Sequence, residues 1–328
     1  MEANGFMFAV NPEAGKGRGL VYGKRIEQMF GRASVVYTSR NGPDSAFNLG
    51  RRAALDGIRT IVGVGGDGTK NLLVNGMMLS GVALEVLPRL GFIQAGTGNN
   101  FAKNIGIPAG FDEEMEVIRE GNSRCVDIGL LTAGNRKKYF LNVVSFGFDA
   151  EVVEMNRNFR ERYGFVPKDL TYLLNASQKI FLGFPSYRFK LSGPGFSLDA
   201  EACLLAVLNG ESYGAIFQIA PGADLCDGLF DVCLIDKVNK VKALEILIRA
   251  TKGKHIGLPQ VRCLKTASLT VSSPDLLPCE VDGEVVPTEK EYQISILHRA
   301  LKVLTPPQLI GVQIPLVAET KAPEFQTA

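Results

Sequence analysis

Between the apolar run Thr60-Ile61-Val62-Gly63-Val64 and Leu72-Leu73-Val74, seven residues read Gly65-Gly66-Asp67-Gly68-Thr69-Lys70-Asn71. No other stretch narrows the fold as much. A continuous apolar run suits a strand buried on both faces of a parallel sheet. Glycines at its end let the backbone take positive φ and approach a ligand closely as a helix begins. The unpaired N–H groups of that helix start favour an anion such as a phosphate. A carboxylate among phosphates is repelled unless a divalent cation lies between, so Asp67 adds Mg²⁺ to the expectation of a nucleotide. A bare tight turn is the rival reading of such a segment. Its place at the carboxyl end of a buried strand, where open α/β sheets bind ligands, favours the site. No GxxxxGK[ST] loop occurs. The opening Asn11-Pro12-Glu13-Ala14-Gly15-Lys16-Gly17-Arg18-Gly19 comes near one, but Gly17 follows the lysine where Ser or Thr is needed.

The same grammar repeats through the first third. Strand-like segments at 6–10, 34–38, 60–64 and 90–93 alternate with helical ones at 21–30, 44–55 and 72–79. This predicts a doubly wound parallel α/β sheet over residues 1–125, with its glycine loops gathered at one edge. After about Cys125 the pattern changes. Phe196, Leu198, Ala200, Ala202 and Leu204 recur at every second residue, the period of a half-buried antiparallel strand. Further short strands at 139–144, 187–191, 229–235, 268–271, 279–281, 285–286 and 292–297 predict a sandwich-like β domain over 126–304. Two helices, around 170–181 and 241–252, interrupt it. Asp282-Gly283 is a two-residue hairpin signal. The proline-bearing segment 305–328 is expected to pack back on the first domain as an extended tail and then fray.

Composition excludes several classes. Lys and Arg number 36 against 34 Asp and Glu, a formal net charge of +2, where a dedicated nucleic-acid binder would carry a strong basic excess. With His255 and His298 as the two histidines, a His-based metal site or a Ser-His-Asp triad has little to work with. The six cysteines lack CxxC or Cys/His spacing, so reduced thiols in a cytosolic protein are expected. No basic n-region precedes an apolar core near Met1, and no secretory leader is expected. The apolar stretch 72–87 is broken by Asn75, Ser80 and Glu85 and is short for a bilayer span of ~20 residues. A soluble chain is expected.

Five motifs follow one another in order: Asn11-Pro12 with Gly15-Lys16-Gly17; Gly65 to Asn71; Gly96-Thr97-Gly98-Asn99-Asn100-Phe101-Ala102; Asp227-Gly228-Leu229-Phe230-Asp231-Val232; and Asp282-Gly283-Glu284. Together they resemble the diacylglycerol kinase catalytic-domain family. In layout they are closest to the bacterial soluble lipid kinases, and they are also similar to sphingosine and ceramide kinases. The GGDGT segment is shared in variant form with NAD kinases and phosphofructokinases; the ordered set is the stronger signal. The resemblance covers nearly the whole chain. It implies Mg-ATP bound in a cleft between an α/β domain and a β-sandwich domain, with the γ-phosphoryl group passing to a hydroxyl of a diacylglycerol-like lipid or a sphingoid base.

Carried over by position, the resemblance implies that Gly65, Gly66, Gly68, Thr69, Lys70, Asn71 and Leu72 cradle the phosphates, with Asp67 beside Mg²⁺. Asn11, Thr38 and Thr97 complete the nucleotide site. Glu284 would accept the proton of the lipid hydroxyl, although its sequence context alone reads as a solvated residue beside a turn. Asp67 is the rival base. Asp227, with backbone carbonyls of Asp224 and Leu229, would hold a structural Mg²⁺, where the bland reading is a turn. Asn100 departs from the aspartate found in many members, which alters any role in orienting the lipid hydroxyl or a cation. A lipid acceptor implies a cytoplasmic enzyme in transient peripheral contact with a membrane, and self-association into a homo-oligomer is left open. Val241, Leu244, Leu247 and Ile248 with Lys240, Lys242, Arg249, Lys252 and Lys254 form one candidate membrane segment. Arg157, Arg160 and Arg162 near Tyr163 and Phe165 form another. Two other readings stand beside the lipid kinase: an NAD kinase, and a catalytically silent lipid-binding regulator of the same fold. The intact Asp67, Asp227 and Glu284 speak against the silent form.

Overall fold

The computed structural model of the chain describes residues 5–162, 168–214 and 216–307, without the side chains of 160–162 and 168–170. The first layer is a parallel sheet in the order β2 (Val35–Tyr37), β1 (Phe6–Val10), β3 (Thr60–Gly65) and β4 (Arg89–Gln94). Helices α1 (Arg18–Phe30), α2 (Ala46–Leu55) and α3 (Asp67–Met78) connect these strands, and α4 (Asn100–Asn104) and α5 (Phe111–Glu120) follow β4. Side chains of successive strand residues point to opposite faces. Accordingly Phe8, Val10, Val62 and Val64 pack with Ile26 of α1 and Ile118 of α5, whereas Ala9, Ile61 and Phe92 pack with Leu49 of α2 and Leu73 of α3. Both faces are covered by helices, as the doubly wound reading requires.

The second layer holds β5 (Ser123–Ala133), β6 (Arg136–Phe140), β7 (Val143–Gly147), α6 (Phe148–Arg162), α7 (Lys168–Leu182), β8 (Tyr187–Gly193), β9 (Phe196–Leu208), β10 (Ser212–Tyr213), β11 (Phe217–Gln218), β12 (Phe230–Asp236), α8 (Lys240–Ala250), β13 (Val261–Thr266), β14 (Ser268–Val281) and β15 (Glu284–Leu304). The long strands β9 and β14 each pair with β8 over one stretch and with β7 over another. The sandwich so closed is filled by Phe146, Phe189, Leu205, Phe230, Leu277 and Tyr292. On the outer face Leu204, Ala206 and Ile235 meet Val152 of α6, Ile180 of α7 and Ile246 of α8.

Strand β15 belongs to both layers. Its first part pairs with β14, its later part with β5, and Val303 lies parallel to Leu90 of β4, so one 13-stranded sheet runs through the molecule. Residues 300–304 return to the first layer beside β4, and the tail expected over 305–328 lies outside the described residues from 308 onward. Position 125/126, expected as a domain boundary, lies within β5. Several element expectations are corrected here. Segments 268–271 and 279–281 are one strand, as are 285–286 and 292–297; register shifts around Ser273-Pro274-Asp275 interrupt the alternation and mimic a turn in the sequence. The single strand expected at 139–144 is two, β6 and β7, broken at Leu141-Asn142. Among the described residues three helices, not two, accompany the sandwich. Helix α6 was hidden by its charge, since Asp149, Glu151, Glu154 and Arg157 leave little apolar periodicity to read.

Candidate active site

Each strand of the first layer ends at one of the loops singled out above. Asn11 follows β1, and its N–H donates to Val64 O at 2.9 Å; Thr38 follows β2, and its N–H donates to Val10 O at 2.7 Å. Gly66 and Asp67 follow β3, and Ala95 to Thr97 follow β4, where the Ala95 and Gly96 N–H groups both reach Gly65 O at 3.2 Å. The two glycine loops touch directly, because a Cβ on Gly96 would lie 2.4 Å from Gly66 Cα. Asn11 Nδ2 donates to Thr69 Oγ1 at 3.2 Å, and Arg18 donates to Ala95 O and Gly96 O at 3.0 and 2.9 Å. Thr97 and Lys16 remain exposed. A cluster of backbone donors and polar side chains thus collects at the carboxyl edge of the sheet, the usual ligand position in this architecture.

Asp67 opens α3. Its Oδ2 accepts the Asn100 N–H at 3.0 Å, while its Oδ1 lies 3.8 Å from Lys70 Nζ. Lys70 lies beneath the loops rather than in solvent. It is fully buried, donates to Asn99 Oδ1 at 3.2 Å and lies 5.2 Å from the Phe92 ring centre. Burial pulls its pKa down, and the charges of Asp67 and Glu114 oppose that pull. Leu72 is partly exposed on the first turns of α3. Two buried oxygens here, Asp67 Oδ1 and Asn100 Oδ1, lack a hydrogen-bond donor. Buried polar atoms without partners call for an explanation. Oxygen atoms of this kind fit a hard divalent cation.

The second layer meets α3 through the β14–β15 hairpin, among other contacts. Asp282 and Gly283 both take positive φ, +49° and +86°, the conformation an Asp-Gly turn supplies between β14 and β15. Asp282 accepts four hydrogen bonds: from the N–H groups of Leu141, Asn142 and Val143 at 2.7, 2.9 and 3.0 Å, and from Asn71 Nδ2 at 2.8 Å. It therefore holds together the β6–β7 break, the hairpin and the first turns of α3. Burial raises its pKa, and these donors counter the rise. Asn75 adds to the seam, donating to Tyr139 O and accepting from Tyr139 N–H, each at 2.9 Å. Glu284 begins β15, and its Oε2 faces Lys138 Nζ at 2.5 Å.

The Asp227 loop is held differently. Asp227 accepts from Leu229 N–H at 2.9 Å and from Lys265 Nζ at 3.0 Å, and Asp224 turns to Cys226 N–H at 3.0 Å. Among the described residues no group of three or more His, Cys, Asp or Glu side chains stands ready to hold a metal. The donor set at Asp227 already includes an ammonium, so it fits a cation less well than the Asp67 edge does. The deeper anchor is Asp127, which sequence reasoning missed. It is fully buried and accepts from Gly228 N–H at 2.7 Å and Arg299 N–H at 2.6 Å, and its Oδ1 lies 2.9 Å from His298 Nδ1. A lone acid inside the apolar run Val126-Asp127-Ile128 was its signal.

Comparison with known proteins decides the family. Residues 5–131 match the family described as diacylglycerol kinase catalytic domain, and residues 142–305 match the YegS C-terminal NAD kinase beta sandwich-like domain. A probable YegS-like lipid kinase of Chromohalobacter salexigens is 30% identical over 84% of this chain and 85% of its own length. The chain belongs to the family of diacylglycerol kinases and YegS-like lipid kinases. A diacylglycerol kinase of Bacillus subtilis is 28% identical over 80% of this chain and 82% of its own. Among solved structures, a putative diacylglycerol kinase from Bacillus anthracis superposes with a TM-score of 0.73 at 21% identity, covering 93% of this chain and 98% of the other. An NAD kinase from Archaeoglobus fulgidus in complex with ATP reaches 0.50 at 14% identity, covering 92% and 94%. Both likenesses are of fold. As a member of this kinase family the chain is a phosphotransferase with an alcohol group as acceptor.

Proposed function

We propose that the protein transfers the γ-phosphoryl group of Mg-ATP to a hydroxyl of a diacylglycerol-like lipid or a sphingoid base. ATP lies against the loops at Asn11, Thr38, Gly65 to Leu72 and Thr97, with Asp67 facing the metal. Bound Mg²⁺ would neutralise charge on the phosphates. For a second, structural Mg²⁺, Asp227 with the carbonyls of Asp224 and Leu229 is the proposed set, and Lys265 competes for its carboxylate. Positioning and electrostatics carry most of such a reaction. The chain's own part is to hold the nucleotide loops rigidly and to bring Glu284 to them through the Asn71–Asp282 contact. Glu284 then takes the proton of the acceptor hydroxyl, and Asp67 is the rival for that role.

The observation that favours a lipid acceptor is an apolar groove between α6, α7, α8 and the outer face of β9 and β12. Phe148, Phe184, Leu204, Phe217, Ile246 and Leu247 line it, and its polar groups are Asp149, Tyr172 and Tyr213. The lining suits an acyl chain better than a dinucleotide. The outer sides of α7 and α8 expose Phe181, Leu182, Val241 and Ile248. Lys240 Nζ joins the two helices by donating to Phe181 O at 2.7 Å, and Arg249, Lys252 and Lys254 stand exposed nearby. Apolar groups ringed by cations suit an anionic membrane surface. We assign transient membrane contact of a cytoplasmic enzyme to this face. The rival segment at 157–165 falls largely outside the described side chains. No helix among the described residues is long and apolar enough to cross a membrane.

Radiolabelled ATP offered with vesicles of diacylglycerol or sphingoid base, or with NAD, tests the reading. Label is expected in lipid. Label in the dinucleotide alone would favour the NAD kinase, and no label in any acceptor would favour the silent regulator.

A further inference from the structure

Beneath the hairpin that carries Glu284 lies a chain of buried polar groups that the phosphoryl transfer does not itself use. Glu280 on β14 and Asp149 at the start of α6 are both almost fully buried, at 1% and 2% exposure. Ser145 on β7 sits between them, its Oγ 2.7 Å from Glu280 Oε1 and 2.7 Å from Asp149 Oδ2. A hydroxyl owns one hydrogen. It can donate to one of the two carboxyls, and the other contact at this distance would set lone pair against lone pair unless that carboxyl supplies a hydrogen of its own.

The remaining partners decide which one does. Asp149 also accepts from the hydroxyls of Tyr172 and Tyr213, so with Ser145 it has three donors and is the ionised member. Glu280 has one further donor, the Gly283 N–H, which reaches Oε2 at 2.6 Å. No lysine or arginine among the described residues pairs with either acid. Burial pushes Glu280 well above the ordinary carboxylate range and Asp149 to about 6.

We propose that Glu280 is a positioning residue for the reaction: a carboxylic acid that keeps its proton, donates it to Ser145, and accepts the Gly283 N–H with its other oxygen. It thereby fixes the Asp282–Gly283 turn, and with it Glu284 and the Asp282 clamp on Asn71. Through Ser145 and Asp149 the same chain ends at the wall of the apolar groove, so the proton-accepting hairpin and the acyl site share one rigid support. The inference rests on the role proposed for Glu284.

Glutamine can reproduce both bonds, with an N–H in place of the O–H and a carbonyl for Gly283, whereas alanine can make neither. The test compares Glu280→Gln and Glu280→Ala in the full-length protein. Glu280→Ala is expected to lower kcat by roughly 10- to 100-fold, the scale of a small misplacement of reacting groups. Glu280→Gln should restore most of the lost turnover. The infrared difference spectrum of wild type minus Glu280→Gln at neutral pH should contain the C=O stretch of a protonated carboxylic acid. Should Glu280→Ala fail to fold, Ser145→Ala, which removes a single oxygen, carries the same kinetic comparison. Turnover as poor in Glu280→Gln as in Glu280→Ala, unchanged kcat in the disruptive variant, or absence of the carboxylic-acid band would each overturn the proposal. A wild type without kinase activity would instead overturn the reading of the site, and the band would still decide where the proton is.

Discussion

Asp282 shows what a single residue carries in this protein. In sequence it is half of a turn signal; in the structure its carboxylate gathers Asn71 and three backbone N–H groups. Those partners lie some 140 to 210 positions away in the chain, so no local pattern could announce them. The Gly65 to Asn71 loop, by contrast, was legible, because strand, glycines and helix start are adjacent in sequence. Two predictions belong at this scale. Glu284→Gln is expected to lower kcat by ~10²–10⁴-fold while leaving the KM for ATP unchanged, the loss appropriate to a general base; steady-state kinetics decide it. Gly96→Ala places a Cβ 2.4 Å from Gly66 Cα and should destabilise the fold by about 1–3 kcal/mol through overpacking, read by urea denaturation.

At the scale of elements, strands β1, β3 and β4 and helices α2 and α3 follow from apolar periodicity. Helix α6 did not, for its charge conceals a narrow buried stripe. Helix α5 hides a further device. Its Glu114 is buried and receives the Gln94 N–H on both carboxylate oxygens, at 3.1 and 3.0 Å. Burial nevertheless raises its pKa from 4.5 to about 7. The folded state therefore holds this proton more tightly than the unfolded chain. Its contribution to stability is fully present below pH 4.5 and is lost as pH rises through about 7. The stability difference between wild type and Glu114→Gln, followed by denaturant titration over that window, should move against the wild type with increasing pH and level off above it. A difference independent of pH would contradict the assignment.

For the whole molecule, the decisive feature is β15, which starts in the Asp282–Gly283 hairpin and ends beside β4 of the first layer. Two of its parts, 285–286 and 292–297, were legible in sequence as short strands. Its continuity was not, because bulges divide the pattern and the parallel partner at Leu90 is more than two hundred residues earlier. Leu301 is fully buried where the strand crosses between layers. Leu301→Ala should cost about 2–5 kcal/mol and shift one cooperative transition in calorimetry; two separated transitions would show that the layers unfold independently.

Nucleotide loops on one layer and Glu284 on the other are proposed to form a single site for phosphorylating a membrane lipid. Mass spectrometry of the products after incubation with ATP, Mg²⁺ and a bacterial total lipid extract tests it most directly. The wild type should yield a phosphorylated lipid that both Asp67→Asn and Glu284→Gln largely abolish. No phosphorylated lipid from the wild type, or undiminished product from Glu284→Gln, would contradict it.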